Sequence, residues 1–91
     1  MTKTTPTKKD LVEKCLNAIE SILERSDESG RRDEYYYTIG LFKGMEFSGL
    51  LTFDQVKKLS TMAQSAAAII WTPLPRDKDS RRDLVKDALG R

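Results

Sequence analysis

Apolar residues at helical spacing constrain the fold of this chain more than any other feature. They recur every three or four positions from Leu11 to Leu23, which places them on one stripe of a helix. Thr7 precedes this stretch and Asp10 stands three positions later, which is the spacing of an N-terminal capping box. The pattern predicts a first helix over about residues 8–25.

A second capping box stands in the middle of the chain. Thr52 and Gln55 have the required spacing, and Leu51 and Val56 occupy the two positions of a hydrophobic staple. Apolar residues at helical spacing follow, so the sequence predicts a further helix over about residues 53–70.

The segment between these two helices carries a run of three tyrosines. Tyr37, Leu41 and Met45 recur at four-residue steps, which predicts a helix over about residues 33–48 with its apolar face on these positions. The preceding residues 26–32, SDESGRR, contain no apolar side chain and predict a solvated connection.

Glycines punctuate this middle helix. Gly40 and Gly44 stand one turn apart inside it, and each costs about 1 kcal/mol relative to alanine. We therefore expect a neighbouring helix to approach the backbone closely on that side. Gly49 follows the last helical position and predicts the end of the helix.

The C-terminal arm follows two prolines. Pro73 and Pro75 stop the preceding helix, so residues 72–80 are predicted to form an extended linker. Ser80, with an acid three positions later, predicts a last short helix over about residues 81–89 that Gly90 ends. This arm can dock on its own bundle, on a second copy of the chain or on another protein.

Length and composition indicate one small domain. The 91 residues hold one modest core, so we predict an all-α fold: a three-helix bundle with a short C-terminal helix, over residues 1–91, with a disordered tail at residues 1–6. No apolar stretch reaches the roughly 20 residues that span a bilayer, and Cys15 has no partner for a disulfide. These features predict a cytoplasmic protein with no membrane partner, in which Cys15 packs as a small hydrophobe.

Catalytic chemistry has no recognisable residues here. The chain has no histidine, which removes the commonest general base and transition-metal ligand, and one cysteine cannot form a zinc cluster. Its glycines fit neither a phosphate-binding loop nor a dinucleotide fingerprint. We expect no enzyme activity, no metal and no cofactor.

Tyrosine and arginine residues are the candidates for partner binding. Tyr35, Tyr36 and Tyr37 point about 100° apart on a helix, so at least one should be exposed beside Arg31 and Arg32. Tyrosine and arginine are enriched at the centres of protein interfaces, although the tyrosines could equally pack in the core or over a helix end. The predicted partner-binding residues are Arg31, Arg32, Tyr35, Tyr36, Trp71, Arg76, Arg81 and Arg82.

Two other classes of function stay open. A helix-turn-helix-like hairpin around Gly49 suggests a small DNA-binding transcriptional regulator, whose nucleic-acid-binding residues would be Lys57, Lys58, Arg81 and Arg82. The net charge of +2 leaves the partner open, but the apolar turn residues, Asp54 and the alanine-rich half of the third helix favour a simple helical hairpin instead. The third class is a structural subunit that assembles with itself, for instance as a homodimer.

The hairpin sequence GLLTFDQVKKL, after an aromatic-rich helix, resembles segments of the short helical proteins carried by phages, plasmids and other mobile elements. The resemblance covers about residues 35–65 and carries no functional residue over to this chain. It implies a non-enzymatic accessory protein that occupies the surface of a larger host complex, such as a CRISPR effector, as anti-CRISPR and other anti-defence inhibitors do.

Overall fold

The structure is a computed structural model that describes residues 7–69 and 73–90. Within these ranges the chain forms helices and no strand, which confirms the all-α prediction. The helices are α1 (Lys8–Leu23), α2 (Glu28–Phe47), α3 (Phe53–Ala66) and α4 (Lys78–Ala88). The predicted disordered tail at residues 1–6 lies outside the described residues.

Both predicted capping boxes are present. The Thr7 hydroxyl accepts a hydrogen bond from the Asp10 amide at 3.1 Å, and the Asp10 carboxylate accepts one from the Thr7 amide. Thr52 and Gln55 make the same reciprocal pair at 3.2 and 2.8 Å. These bonds satisfy amides that the first turn of a helix leaves without partners, which fixes where α1 and α3 begin.

The second helix is longer than predicted, because it begins at Glu28 and not near residue 33. Residues 28–32 were expected in a solvated connection since they lack apolar side chains, but they form the first turns of α2. An exposed first turn needs no apolar residue, and Gly30 costs least near a helix end. The Arg31 amide donates to the Asp27 carbonyl at 3.1 Å, and its Nε donates to the Arg25 carbonyl at 2.9 Å.

The helix ends also differ from the predicted boundaries. The first helix stops at Leu23 and α3 stops at Ala66, four residues before the predicted end at 70. Ala68 has φ = +60°, and the Ile69 amide donates to the Gln64 carbonyl at 2.9 Å, so a left-handed residue terminates α3 before the prolines are reached. The second helix ends as predicted at Gly49, whose φ is +85°.

The last helix begins at Lys78, three residues earlier than predicted. Asp77 caps it by accepting a hydrogen bond from the Ser80 amide at 2.8 Å, so the predicted capping role of Ser80 is wrong. Residues 78–80 of the predicted 72–80 linker therefore belong to α4, residues 73–77 are non-helical, and residue 72 lies outside the described residues. Gly90 has φ = +73° and ends the helix as expected.

The first helix lies at the centre of the core, because it contacts each of the other three. Its Leu16, Ile19 and Ile22 are fully buried. Cys15 is buried beside them, as predicted, and burial raises the pKa of its thiol to about 11. The buried apolar side chains are Val12, Cys15, Leu16, Ile19, Ile22, Phe42, Met45, Leu51, Val56, Leu59, Met62, Ala63, Ala66, Ala67, Val85, Ala88 and Leu89.

The C-terminal arm docks on its own bundle. Val85, Ala88 and Leu89 are buried, and α4 contacts α1 and α3. The Gln55 amide group donates from Nε2 to the Leu89 carbonyl at 2.7 Å, so the residue that caps the start of α3 also binds the end of α4.

Candidate protein-binding surface

One side of α2 presents aromatic residues to solvent. Tyr36, Tyr37 and Phe47 are 64%, 72% and 98% exposed. They lie on the side of the helix opposite to Phe42, which is fully buried. We call this surface the aromatic face and define it as Tyr36, Tyr37, Gly40, Gly44 and Phe47.

The prediction that Tyr37 belongs to the buried face is wrong. Thr38 takes that place: it is fully buried, and its hydroxyl donates to the Ala18 carbonyl at 3.4 Å. Threonine at this position was not singled out because a polar side chain carries no apolar signal. With Thr38, Phe42 and Met45 facing inward, Tyr37 is turned outward.

The expected close approach at the two glycines is also absent. Gly40 and Gly44 are exposed, and a Cβ added at either position would meet no described atom of another helix within 4 Å. The neighbouring helices pack against the opposite side of α2. The glycines therefore leave bare backbone at the centre of the aromatic face, between the tyrosines and Phe47.

None of the five residues of the aromatic face is charged, although a third of the residues in this chain are. Lys43 lies exposed at its edge, and Arg32, 60% exposed, makes only a long ion pair of 3.6 Å with Glu28. An uncharged centre with charges at the rim is the usual composition of a protein interface.

Tyr35 lies on the core side of α2, next to Tyr36 of the aromatic face. It is partly buried, its hydroxyl accepts a hydrogen bond from Gln64 at 3.4 Å, and its ring lies 5.3 Å from that of Tyr36. Arg31 is half-buried, held by the Arg25 carbonyl at the connection from α1. The four predicted residues on α2 are thus close in the chain but differ in exposure, and Tyr36 and Arg32 are the accessible ones.

The predicted arginines of α4 are engaged within the chain. The Arg81 guanidinium donates to both carboxylate oxygens of Glu20 at 2.6 and 2.7 Å, and to the carbonyls of Pro75 and Arg76 at 2.9 and 2.7 Å. The hydrogen bonds from Arg81 to Glu20 raise the pKa of this arginine. The Arg81 and Glu20 side chains are only 12% and 14% exposed.

Arg82 makes a parallel pair one position later. It donates to Glu13 at 2.8 and 3.3 Å and to Asp79 at 2.6 Å. The hydrogen bond from Arg82 lowers the pKa of the Glu13 carboxyl below its usual value. Together the two pairs form what we call the α1–α4 clasp, defined as Glu13, Glu20, Arg81 and Arg82.

The structure separates the predicted partner-binding residues into two groups. No contact joins α2 to α4 among the residues it describes, so Arg31, Arg32, Tyr35 and Tyr36 do not form one surface with Arg76, Arg81 and Arg82. Arg76 is exposed before α4, and Trp71 lies outside the described residues. Tyr37, Phe47 and the glycines were missed as site residues, although their spacing with Tyr36 on one helical face was available in the sequence.

Basic residues are found at two other places. Lys57 and Lys58 are exposed on α3, while Arg81 and Arg82 turn toward α1. A cleft of about 640 Å³ lies between α1 and α4, and Glu13 and Arg82 pair in its lining. The cleft is lined by Lys8, Lys9, Val12, Glu13, Arg82 and Lys86.

Within residues 7–69 and 73–90, no group of acidic or cysteine side chains is placed to hold a metal ion. No described helix is long and apolar enough to span a bilayer. Comparisons with protein-family models, curated proteins and solved structures find no match to this chain.

Proposed function

We propose that this chain is a non-enzymatic protein–protein interaction module that binds its partner through the aromatic face of α2. The observation that carries the proposal is the exposure of Tyr36, Tyr37 and Phe47 on one side of α2, and that side carries no charged residue between Tyr36 and Phe47. At about 200 Å² for a fully exposed ring, these three side chains present about 450 Å² to solvent. Patches of this size on small proteins are often functional.

The aromatic face belongs to a helix whose opposite side is fixed in the core, and this suits the face to binding. Thr38, Phe42 and Met45 anchor the opposite side of α2 in the core, so the backbone under the aromatic rings is already ordered. Tyrosine and phenylalanine have only two side-chain torsions each, which keeps the entropy lost on binding small. A partner therefore meets a surface that needs little rearrangement.

In its most specific form, the proposal is an inhibitor from a phage or other mobile element that blocks a larger host complex. This form is supported by the resemblance of the α2–α3 hairpin to segments of such proteins and by the lack of histidine in the chain. Steric occlusion requires only a binding surface and no chemistry, which agrees with the residues that the chain offers.

A capture experiment from bacterial lysate tests the proposal. The wild-type chain is compared with a triple variant, Tyr36→Ser, Tyr37→Ser and Phe47→Ser, which leaves every described core residue in place. We expect at least about a 10-fold loss of the specifically captured protein, measured by quantitative mass spectrometry, with an unchanged circular dichroism spectrum.

A matched control separates this proposal from nucleic-acid binding. The variant Lys57→Glu with Lys58→Glu changes exposed residues on α3 and leaves the aromatic face intact. We expect it to capture the same protein as the wild type, with and without nuclease. Equal capture by the triple variant would contradict the proposed surface, whereas loss with the lysine variant or with nuclease would favour DNA binding.

A further inference from the structure

We infer that the aromatic face is occupied by a second copy of this chain, with the two α2 helices packed antiparallel about a two-fold axis. This inference rests on the proposed function, because it takes the aromatic face to be a protein-binding surface and adds a second copy of the chain as an occupant of that surface. The observation that leads to it is a symmetry in the spacing of the exposed residues.

In an antiparallel helix pair with two-fold symmetry, two positions face each other when they lie at equal distances on either side of the axis. Tyr37 and Phe47 each lie five positions from residue 42, and Gly40 and Gly44 each lie two positions from it. Tyr37 therefore faces Phe47 of the second copy, and Gly40 faces Gly44 of the second copy. Each contact occurs twice, as a closed two-fold dimer requires.

The orientation of the helix agrees with this arrangement. Residue 42 is Phe42, which points into the core and is fully buried. The side of α2 directly opposite to it is where the axis would pass, and the four paired positions lie within about 40° of that direction. The symmetry thus falls on the one side of α2 that no described residue covers.

The shape of the face is also self-complementary. Helix axes usually pack 8–10 Å apart, and bare glycine backbone at the crossing point allows a shorter distance. The aromatic rings lie about 7.5 Å along the helix on either side of the axis. A ring from each copy then packs beyond the glycines at each end of the contact.

The area that the two chains would bury against each other determines the expected affinity of the dimer. Tyr37 and Phe47 expose about 340 Å², and Tyr36 at the edge of the contact raises this to about 450 Å², against the roughly 800 Å² that each partner buries in a standard interface. Glycine backbone and the flanking Asp33 and Lys43 add to this area. The interface is at the small end of the range, so we expect a dimer with a Kd of about 10 µM.

Sedimentation velocity over about 1 to 500 µM protein tests the dimer. We expect the mass to rise from that of one 10.4 kDa chain to twice that value. Gly44→Leu adds a side chain that meets open space in one chain but blocks the approach of another, so it should weaken the dimer at least about 30-fold while the chain stays folded. Lys14→Leu, at an exposed position on α1, is the matched control and should leave the dimer unchanged.

A charge exchange tests the register. Tyr37→Lys alone and Phe47→Glu alone should each be monomeric, because each removes both ring–ring contacts and brings two charges without counter-charges into the interface. Mixed together, the two variants should form a heterodimer within about 10-fold of wild-type affinity, since lysine then meets glutamate at one end and Tyr37 meets Phe47 at the other.

The outcomes distinguish the inference from the proposed function. A wild-type chain that stays monomeric at the highest concentration, or single variants that dimerise as well as the wild type, would overturn the dimer. If capture of another protein still depended on the aromatic face, the proposed function would stand and only the occupant would be wrong. If the dimer formed while the triple serine variant captured the same proteins as wild type, the proposed binding of another protein through this face would fail and the dimer would stand.

Discussion

Replacing either Glu20 or Arg81 with methionine removes one half of the ion pair that holds α4 against α1. The pair is bidentate, with distances of 2.6 and 2.7 Å, and both side chains are more than four-fifths shielded from solvent. Removal of one partner leaves a shielded charge without its counter-charge, which is the costly way to disturb such a pair.

The magnitude follows from this shielding. Breaking a fully buried pair costs about 3–5 kcal/mol, and an exposed pair about 0–1 kcal/mol. The side chains of Glu20 and Arg81 remain 14% and 12% exposed to solvent, and Arg81 retains two carbonyl partners when Glu20 is replaced. We therefore expect each single replacement to lower the free energy of unfolding by about 2 kcal/mol. The double replacement should cost less than the sum of the two, since it leaves no charge unpaired.

Urea unfolding of the wild type, both single variants and the double variant measures this coupling as a double-mutant cycle. Amide hydrogen exchange shows which part of the chain is destabilised, and we expect the protection of amides to fall first in α4. Arg32→Met is the control, since Arg32 and its partner Glu28 are 60% and 87% exposed and that pair should contribute nothing measurable. Additive effects below about 0.5 kcal/mol would refute the reasoning and show that the pair acts as a surface contact.

Three further predictions follow from the backbone and the titratable groups. Ala68→Gly should raise the free energy of unfolding by about 1 kcal/mol because Ala68 has φ = +60°, and Gly49→Ala should lower it by about the same amount because Gly49 has φ = +85°. Urea unfolding measures both changes, and two changes of the same sign would contradict this reasoning. The pKa of buried Cys15 lies above that of an unfolded thiol, so stability should fall by about 1.4 kcal/mol per pH unit between pH 9 and 11, and Cys15→Ala should lack this additional slope. The pKa values of Glu13 and Asp77 are lowered by hydrogen bonds from Arg82 and from the Ser80 amide, so their contribution is present at neutral pH and lost as the pH falls below about 4; unchanged exchange protection of α4 at pH 3 would contradict this.

The parts of the fold that could be predicted from the sequence depend on residues close together in the chain. A capping box joins residues three positions apart, so Thr7 and Thr52 could be identified without knowing any tertiary contact. The start of α2 could not be placed this way, because its first turn is exposed and its N-cap residue Asp27 makes no side-chain cap. Exposed helical turns leave no apolar pattern in a sequence.

The surfaces depend on contacts between residues far apart in the chain. Whether Tyr37 or Thr38 faced the core was decided by α1, since the Thr38 hydroxyl binds the carbonyl of Ala18. The predicted role of Arg81 as a free interface residue did not take account of Glu20, which lies 61 positions earlier. Spacing rules describe one helix at a time and carry no information on which helix lies opposite.

The α1–α4 clasp has a consequence for the order in which the chain folds during synthesis. A ribosome produces α1 first and α4 last, so Glu13 and Glu20 have no arginine partners until the C-terminal segment has emerged. The side of α1 that Val85 and Leu89 cover is likewise open during this interval. The first of these four helices to be synthesised therefore cannot complete its packing until the fourth has emerged.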